Sequence, residues 1–493
     1  MHSSRPILSC RNLTFRYGAQ AGPVFESLSF HVDQGEAVLL MGPSGCGKST
    51  LAYCLAGLYP EYAGSLEGEI LIDGRPVSQM PPSKRAQEIS ILFQNPDNQF
   101  CMGRPDHEIL FALENMNYEG DLQERMRELL HFSGLEAIGA APIHTLSGGT
   151  KQKLALATSL ATGARILVLD EPFANLDPAA CVHLAEKLKE LNQQGLTLLI
   201  VDHNPGCWRS FISRIALMDG QGTLVNDNLL PDQLESYREL FDRHGLFLDN
   251  HWLTGITPPE TAPCSPAIVR AKDLALKYEK ETVIDGLTFQ LKKGSVTALI
   301  GQNGSGKTTL LCALAGVGKY KGELLVDGRA GLVFQNPRFQ FLTLSVQEEV
   351  LTTLRVIDPG ADAAVLQKRA EDLLDEFGLL SLKEVSPYSL SQGQQRRLAL
   401  LSMLAGDRPL LLLDEPTYAQ DERSSRKILK LLNQRVRQGL TAVIATHDLA
   451  LARAFANQIL LLEDGRLTPM STDDLDHYAA ERGIHYDETK SGF

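Results

Sequence analysis

The chain has 493 residues, 47 Lys+Arg against 60 Asp+Glu for a formal charge of −13, and 43% hydrophobic residues. At about 150 residues per domain that length exceeds one compact core, and the ordinary hydrophobic and charged shares exclude extensive disorder. The acidic balance argues against coating a nucleic acid, which needs a basic face to release counterions, so no nucleic-acid partner is expected. The first ten residues, MHSSRPILSC, hold no apolar stretch of the signal-peptide kind. Apolar runs such as 196–201 and 410–413 fall far short of the ~20 residues that cross a bilayer. Eight cysteines without a C-x-x-C pair give neither zinc-ligand spacing nor a disulfide framework. The expectation is a soluble, intracellular, multidomain protein with reduced thiols.

Alternating apolar residues open the chain as a strand over 8–17, and a short apolar strand at 37–41 runs directly into GPSGCGKST, residues 42–50. G-x-x-x-x-G-K-[ST] between a strand and a helix is a phosphate cradle: glycines let backbone N–H groups converge on phosphate oxygens, and the helix N-terminus adds its positive end. Gly42, Pro43, Ser44, Gly45, Cys46, Gly47, Lys48, Ser49 and Thr50 are therefore candidate nucleotide contacts. Lys48 would reach the β and γ phosphates and Ser49 would hold Mg²⁺. The stretch around 77–88 reads as an extra surface loop, FQNPDNQF follows at 93–100, and 105–135 has helical periodicity.

LSGGT begins a helix with Ser147 as its N-cap, and the free N–H groups at Ser147, Gly148 and Gly149 suit a second phosphate grip. ILVLDEP, 166–172, is a buried strand ending in two carboxylates at the C-terminal edge of the sheet, where ligands bind in such folds. Asp170 is the candidate Mg²⁺ ligand through water, and Glu171 the candidate general base. His203 follows the apolar strand 196–201, placed to contact the γ-phosphate and hold the attacking water. A helix over 231–245 closes this half, and the Pro-rich 258–266 reads as a semi-rigid linker.

The pattern then returns as GQNGSGKTT (301–309), FQNPRFQF (334–341), LSQGQQRRLALL (390–401), LLLLDEP (410–416) and ATHD (445–448). The differences 391 − 147, 414 − 170 and 447 − 203 all equal 244. Lys48 and Gln94 are 46 residues apart but Lys307 and Gln335 only 28, so the first half carries the extra surface at 77–88. The second set supplies Gly301, Gln302, Asn303, Gly304, Ser305, Gly306, Lys307, Thr308 and Thr309 as phosphate loop, Asp414 and Glu415 as acidic pair, and His447. One such glycine turn arises by chance; two, each between a strand and a helix, do not. Strand–helix alternation predicts α/β domains with a mainly parallel sheet and a helical insert, over 361–378 in the second half. The boundaries expected are 7–245 and 268–475, with a linker at 246–267 and a polar tail at 476–493.

Phosphate loop, FQ, LSGG, LLLDEP and histidine, in this order in both halves, resemble the nucleotide-binding domains of ABC transporters. The resemblance implies two tandem P-loop NTPase domains, each adding an antiparallel β subdomain and a helical subdomain, that bind ATP and Mg²⁺ and hydrolyse ATP. It implies Tyr17 and Tyr278 as adenine-stacking residues, and Gln94 and Gln335 as Mg²⁺ and water ligands that sense a membrane partner. It also implies that the halves pair head to tail. One composite site would hold Lys48, Glu171 and His203 with Ser391, Gln392 and Gly393; the other Lys307, Glu415 and His447 with Ser147, Gly148 and Gly149. Gln392 stands where the family pattern has glycine, and 418–421, Tyr-Ala-Gln-Asp, departs from the small-small-Leu-Asp that 174–177 keeps. Both departures fall on the Lys48 site, which is expected to hydrolyse ATP more slowly.

The two FQNP octapeptides further resemble the ATPases of energy-coupling factor (ECF) and cobalt importers. That likeness implies a peripheral subunit on the cytoplasmic face of the membrane, joined to a transmembrane coupling protein and a small substrate-binding membrane subunit. The cargo would be a vitamin, a vitamin precursor or a transition-metal ion. Tandem ATPases of monosaccharide importers usually lack the second phosphate loop, and those acting on ribosomes carry a long charged linker. Intact Lys307 and Glu415, and a short Pro-rich linker, set both alternatives behind the first.

Overall fold

The computed structural model describes residues 6–18, 22–61, 63–173, 176, 178–248, 250–259, 265–278, 281–406, 408–417 and 421–482; the side chains of 178, 179, 250, 251, 278, 281 and 392 lie outside that description. The chain divides into two compact units, 1–249 and 250–493.

In the first unit, β1 (Pro6–Arg16) and β2 (Phe25–Asp33) lead to β3 (Ala37–Met41), whose end feeds the glycine-rich loop and α1 (Lys48–Leu55). Then come β4 (Ser65–Ile72), β5 (Arg75–Pro76), α2 (Pro82–Glu88) and β6 (Ile89–Leu92). A helical block follows: α3 (Pro105–Asn115), α4 (Leu122–Ser133) and α5 (Gly148–Ala161). β7 (Ile166–Asp170), α6 (Pro178–Gln193), β8 (Thr197–Val201), β9 (Arg214–Met218), β10 (Leu224–Leu229) and α7 (Arg238–His244) complete it.

The strands form two sheets. One runs β2-β1-β4-β5 and is antiparallel; the other runs β10-β9-β3-β8-β7-β6, parallel except for the β9–β10 pair. AVLLM, ILVLD, TLLIV and RIALM are buried at every position, as strands covered on both faces require. On one face they pack with Leu51 and Leu55 of α1 and Phe15 of β1, and on the other with Leu156 of α5 and Leu184 and Leu188 of α6. The helical block has a separate core built from Ile109, Leu113, Met126, Leu130 and Leu154.

The second unit repeats this plan with β11 (Ala267–Tyr278), β12 (Glu281–Lys292), β13 (Val296–Ile300), α8 (Lys307–Leu314), β14 (Tyr320–Val326) and β15 (Ala330–Val333). Its helical block is α9 (Val346–Ile357), α10 (Ala363–Glu376) and α11 (Gln392–Leu404). It ends with β16 (Leu410–Asp414), α12 (Glu422–Arg437), β17 (Thr441–Ala445), α13 (Leu449–Phe455), β18 (Gln458–Glu463), β19 (Arg466–Met470) and α14 (Thr472–Glu481). Its sheets run β12-β11-β14 and β15-β16-β17-β13-β18-β19.

Two details differ from the sequence expectation. The stretch 77–88 is not a loop: Val77 is buried in a 3-10 turn, and Pro82 occupies the first turn of α2, where its fixed φ suits a helix. The helical region 105–135 breaks in two, because Asn117 turns at φ 51° and Asp121 caps α4, accepting from Gln123 N (2.8 Å) and Glu124 N (3.0 Å). Within 246–267, Leu246 and Leu248 join the first unit's core, while Trp252 and Leu253 are buried and their 3-10 turn packs on α12 and α13. Asn433 and Asn457 hold that segment further, donating to the carbonyls of Thr257 (3.0 Å) and Pro259 (2.7 Å).

Candidate functional site

Each unit assembles its site where β3 or β13 turns into a helix, beside the ends of β7 and β8 or of β16 and β17. Register fixes the arrangement: Asp170 lies opposite Val201, and Asp414 opposite Ala445. Gly45 and Gly47 adopt φ of 82° and 101°, and Gly304 and Gly306 φ of 83° and 101°, left-handed turns that aim successive N–H groups inward. A Cβ on Gly47 would lie 2.6 Å from Val24, and one on Gly306 2.7 Å from Val283, so neither turn tolerates a side chain.

Lys48 is buried, and its ammonium donates to the carbonyls of Gly42 (2.7 Å) and Pro43 (3.0 Å). Lys307 does the same to Gly301 (2.7 Å) and Gln302 (2.9 Å). Ser49 Oγ donates to Asp170 Oδ1 at 2.9 Å, and Thr308 Oγ1 to Asp414 Oδ2 at 2.7 Å. Ser44, Cys46, Asn303, Ser305 and Thr309 line the same turns or the first turn of the helix behind them.

The second carboxylates sit at strained backbone. Glu171 and Glu415 have φ of 48° and 51°, uncommon for a residue with a Cβ, and their N–H groups bond back to Val201 and Ala445 (both 2.9 Å). In the first unit Gln94 Nε2 donates to Glu171 Oε2, and His203 Nε2 bonds Glu171 Oε1 at 2.7 Å. In the second, His447 approaches through Nδ1 (2.8 Å to Glu415 Oε1), and Thr446 Oγ1 donates to Oε2 at 3.1 Å. Gln335 contributes its carbonyl here, accepting from Arg396 at 2.6 Å.

Burial and the adjacent Glu171 charge push Asp170 up to about 7, against the hydroxyls of Ser49 and Tyr53 and the charge of Lys48. Asp414 is raised chiefly by burial. Burial alone would raise the two glutamates as well, but the facing histidine and the P-loop lysine hold both below the ordinary carboxylate range. Each site thus pairs one proton-prone carboxyl with one held anionic.

Ser147 caps α5 through Thr150 N (3.2 Å), and Ser391 caps α11 in a reciprocal capping box with Gln394. Gly148 and Gln392 begin these helices, followed by Gly149 and Gly393. Tyr17 is half exposed and its hydroxyl bonds Thr50 Oγ1 at 2.8 Å. Tyr278 ends β11; its side chain and that of Gln392 lie outside the described residues, as do 174, 175, 177 and 418–420.

The paired octapeptides gain a structural reason. Gln99 Nε2 donates to Ala155 O (3.1 Å) and Gln340 Nε2 to Ala399 O (3.2 Å), tying each loop to the helix behind its LSGG or LSQG segment. Glu108 and Glu349 then grip the loop's exit, the first through Cys101 N (3.0 Å), the second through Leu342 N (2.9 Å).

Sequence reasoning missed four supporting residues. Tyr53 donates to Asp170 Oδ2 at 3.0 Å; it stands one helical turn after Ser49, a spacing that puts both on one face. Fully buried Trp208 donates to Asp202 Oδ2 at 2.8 Å and stacks on Phe173 at 4.1 Å, bracing the residues before His203 and after Glu171. Buried Arg396 donates to the carbonyls of Glu415 and Gln335. Thr446, noted above, replaces Asp202 at the same repeat position. Arg396 had a visible signal, Gln-Gln-Arg-Arg where the first half has Thr-Lys-Gln-Lys.

Fold and site together define two P-loop ATPase units in one chain. The family model described as ABC transporter matches residues 25–174 and 284–418, and the chain belongs to that family of ATP-binding, ATP-hydrolysing proteins. A protein of Bacillus subtilis (strain 168) provisionally named HMP/thiamine import ATP-binding protein YkoD is 34% identical, covering 94% of this chain and 91% of its own. A Methanosarcina acetivorans protein provisionally named an ABC transporter ATP-binding protein is 31% identical, with 94% and 85% covered. Among solved structures, an archaeal ribosome recycling factor, aABCE1, shares the fold at a TM-score of 0.67 and 21% identity, over 97% of this chain and 94% of that one. Among the described residues no helix is long and apolar enough to cross a membrane.

Proposed function

We propose that this chain is the ATP-hydrolysing motor of an ECF-type importer whose cargo is a vitamin, vitamin precursor or transition-metal ion. The observation that carries the reading is that both units keep a complete set of lysine, hydroxyl, two carboxylates and histidine. A tandem ATPase with one degenerate half does not fit it. The relative provisionally named for HMP and thiamine import supports a thiamine-related cargo, and the doubled FQNP loops support the ECF class.

The donors suit Mg²⁺ and a polyphosphate: a hydroxyl, a carboxylate and an amide oxygen, with phosphate oxygens completing the shell. The described residues contain no cluster of three or more His, Cys, Asp or Glu that could cage a metal alone. Bound Mg²⁺ supplies charge neutralisation at the phosphates. Lys48 and Lys307 neutralise further charge, and Ser49 with Asp170, and Thr308 with Asp414, orient the ion's shell. Glu171 and Glu415, held anionic, accept the proton of the attacking water, while His203 and His447 fix them and face the γ-phosphate. Gln94 and Gln335 position that water. A transmembrane coupling protein and a small substrate-binding membrane subunit then carry the cargo, with this chain on the cytoplasmic face.

The test is uptake of HMP or thiamine by proteoliposomes holding the chain with a candidate transmembrane coupling protein and a candidate substrate-binding membrane subunit. ATP-dependent uptake that disappears with Glu415→Gln supports the reading. ATPase activity that responds to ribosomes and not to those membrane proteins overturns it.

A further inference from the structure

Asp170 is fully buried, and two hydroxyls from one face of α1 hold both of its oxygens: Ser49 on Oδ1 at 2.9 Å and Tyr53 on Oδ2 at 3.0 Å. The Tyr53 ring is itself fixed edge-on against Phe93 (5.5 Å, 70°), the residue before Gln94, and against Tyr59 (5.5 Å, 84°). Tyr59 stacks on Phe15 (5.4 Å, 12°) and meets the edge of Tyr17 at 6.0 Å. An aromatic chain therefore joins Tyr17, the Asp170 carboxylate and the turn that presents Gln94.

The second unit is built otherwise. Cys312 occupies the place of Tyr53 and Gly318 that of Tyr59, both one P-loop repeat along the sequence. Cys312 lies close enough to Asp414 for that charge to help burial raise its thiol. A thiol is a weak donor and cannot replace a phenol on a carboxylate oxygen.

We propose that Tyr53 is a positioning residue for the divalent cation of the first unit only. Its phenol locks the Asp170 carboxylate in one orientation toward the metal and ties that orientation to Tyr17 and the Gln94 turn. Outer partners of metal-binding groups typically contribute 10–100-fold to metal affinity. The first unit therefore binds its metal–nucleotide pair through a stiffer, more metal-dependent site than the second. This rests on the nucleotide-binding reading of the P-loops.

The experiment uses the full chain carrying Lys307→Ala, so that the first site alone reports, with a fluorescent ATP analogue and Mn²⁺ as a paramagnetic stand-in for Mg²⁺. Tyr53→Phe keeps every ring contact and removes one hydroxyl. The Mn²⁺ concentration for half-saturation, read from the loss of the free-ion resonance signal, is expected to rise about tenfold. Nucleotide binding in EDTA stays as in the parent. In a Lys48→Ala chain, Cys312→Ser leaves the second site's Mn²⁺ half-saturation within twofold. A Tyr53→Phe shift under twofold overturns the proposal. So does equal loss of binding in EDTA, which makes Tyr53 a packing residue. If Lys48→Ala with Lys307→Ala still binds nucleotide, the underlying site reading fails instead.

Discussion

Replacing Arg396 with glutamine gives the second unit the residue that the first carries at Gln152, and it isolates what the guanidinium does. Arg396 is 4% exposed, and its two terminal nitrogens donate to the carbonyls of Glu415 and Gln335. Hydrogen bonds from a charged donor contribute about 1.5–3 kcal/mol each, and the cost of burying the guanidinium offsets part of that. A glutamine fills much of the space but cannot span both carbonyls; Gln152 itself is fully buried with neither amide atom hydrogen-bonded among the described residues. The expected loss is about 2–4 kcal/mol, confined to the second unit. Each unit has its own buried tryptophan, Trp208 in the first and Trp252 in the second, so urea unfolding can be read separately. In a Trp208→Phe background, Trp252 fluorescence should show the midpoint falling by about 1 M at a slope near 3 kcal/mol/M. In a Trp252→Phe background, Trp208 should report no change. An unmoved Trp252 transition, or equal shifts in both units, would refute the bridging role.

Three further outcomes are expected. Glu171→Gln and Glu415→Gln should each cost about 10²–10⁴-fold in the rate of their own site, yet lower total ATPase unequally, with the larger loss from Glu415→Gln; equal losses contradict the slow Lys48 site. Trp208→Phe should destabilise the first unit by about 1–3 kcal/mol, since it strips a donor from the half-buried Asp202, and calorimetry should show one transition moving and the other fixed. His447 should make the second unit's stability pH-dependent. Burial alone would lower its pKa, but Glu415 and Asp448 together hold the proton above the ordinary 6.5, against Lys307. That stabilisation is whole below pH 6.5 and drains away as pH rises through the raised value, so His447→Ala should flatten the fall in unfolding temperature above pH 6.5.

The features legible in the sequence are those where backbone geometry restricts residue choice. A strand entering a left-handed glycine turn and a helix leaves a fixed spacing, and a fully buried strand ending in two carboxylates leaves LLLLDEP. Side-chain support leaves a fainter trace, as with Arg396 in Gln-Gln-Arg-Arg. Nothing in the spacing says that Tyr53 rather than a core aliphatic reaches Asp170, or that His203 approaches through Nε2 and His447 through Nδ1. Composition also misread 77–88. Polar, Pro-containing stretches look like loops, yet Pro82 starts α2.

The two units place lysine, hydroxyl and first carboxylate within hydrogen-bond range of equivalent partners, but they brace them differently. The first uses Tyr53 on Asp170 and a Trp208–Asp202 brace behind His203. The second uses Thr446 on Glu415, Arg396 across two carbonyls, and α13, capped by Asp448 through Leu451 N (2.9 Å), where Pro205 and Gly206 leave the first unit only a 3-10 turn. In a symmetric homodimer any substitution appears at both sites at once, so a change that improves one role must be tolerated in the other. Fusion into one chain lifts that constraint. Gln392 in LSQG, where the first half has Gly148, belongs to the same divergence. The structural asymmetry is concentrated in the residues that orient the reacting groups rather than in those groups themselves. The halves should therefore differ more in rate and metal dependence than in their ability to hold nucleotide.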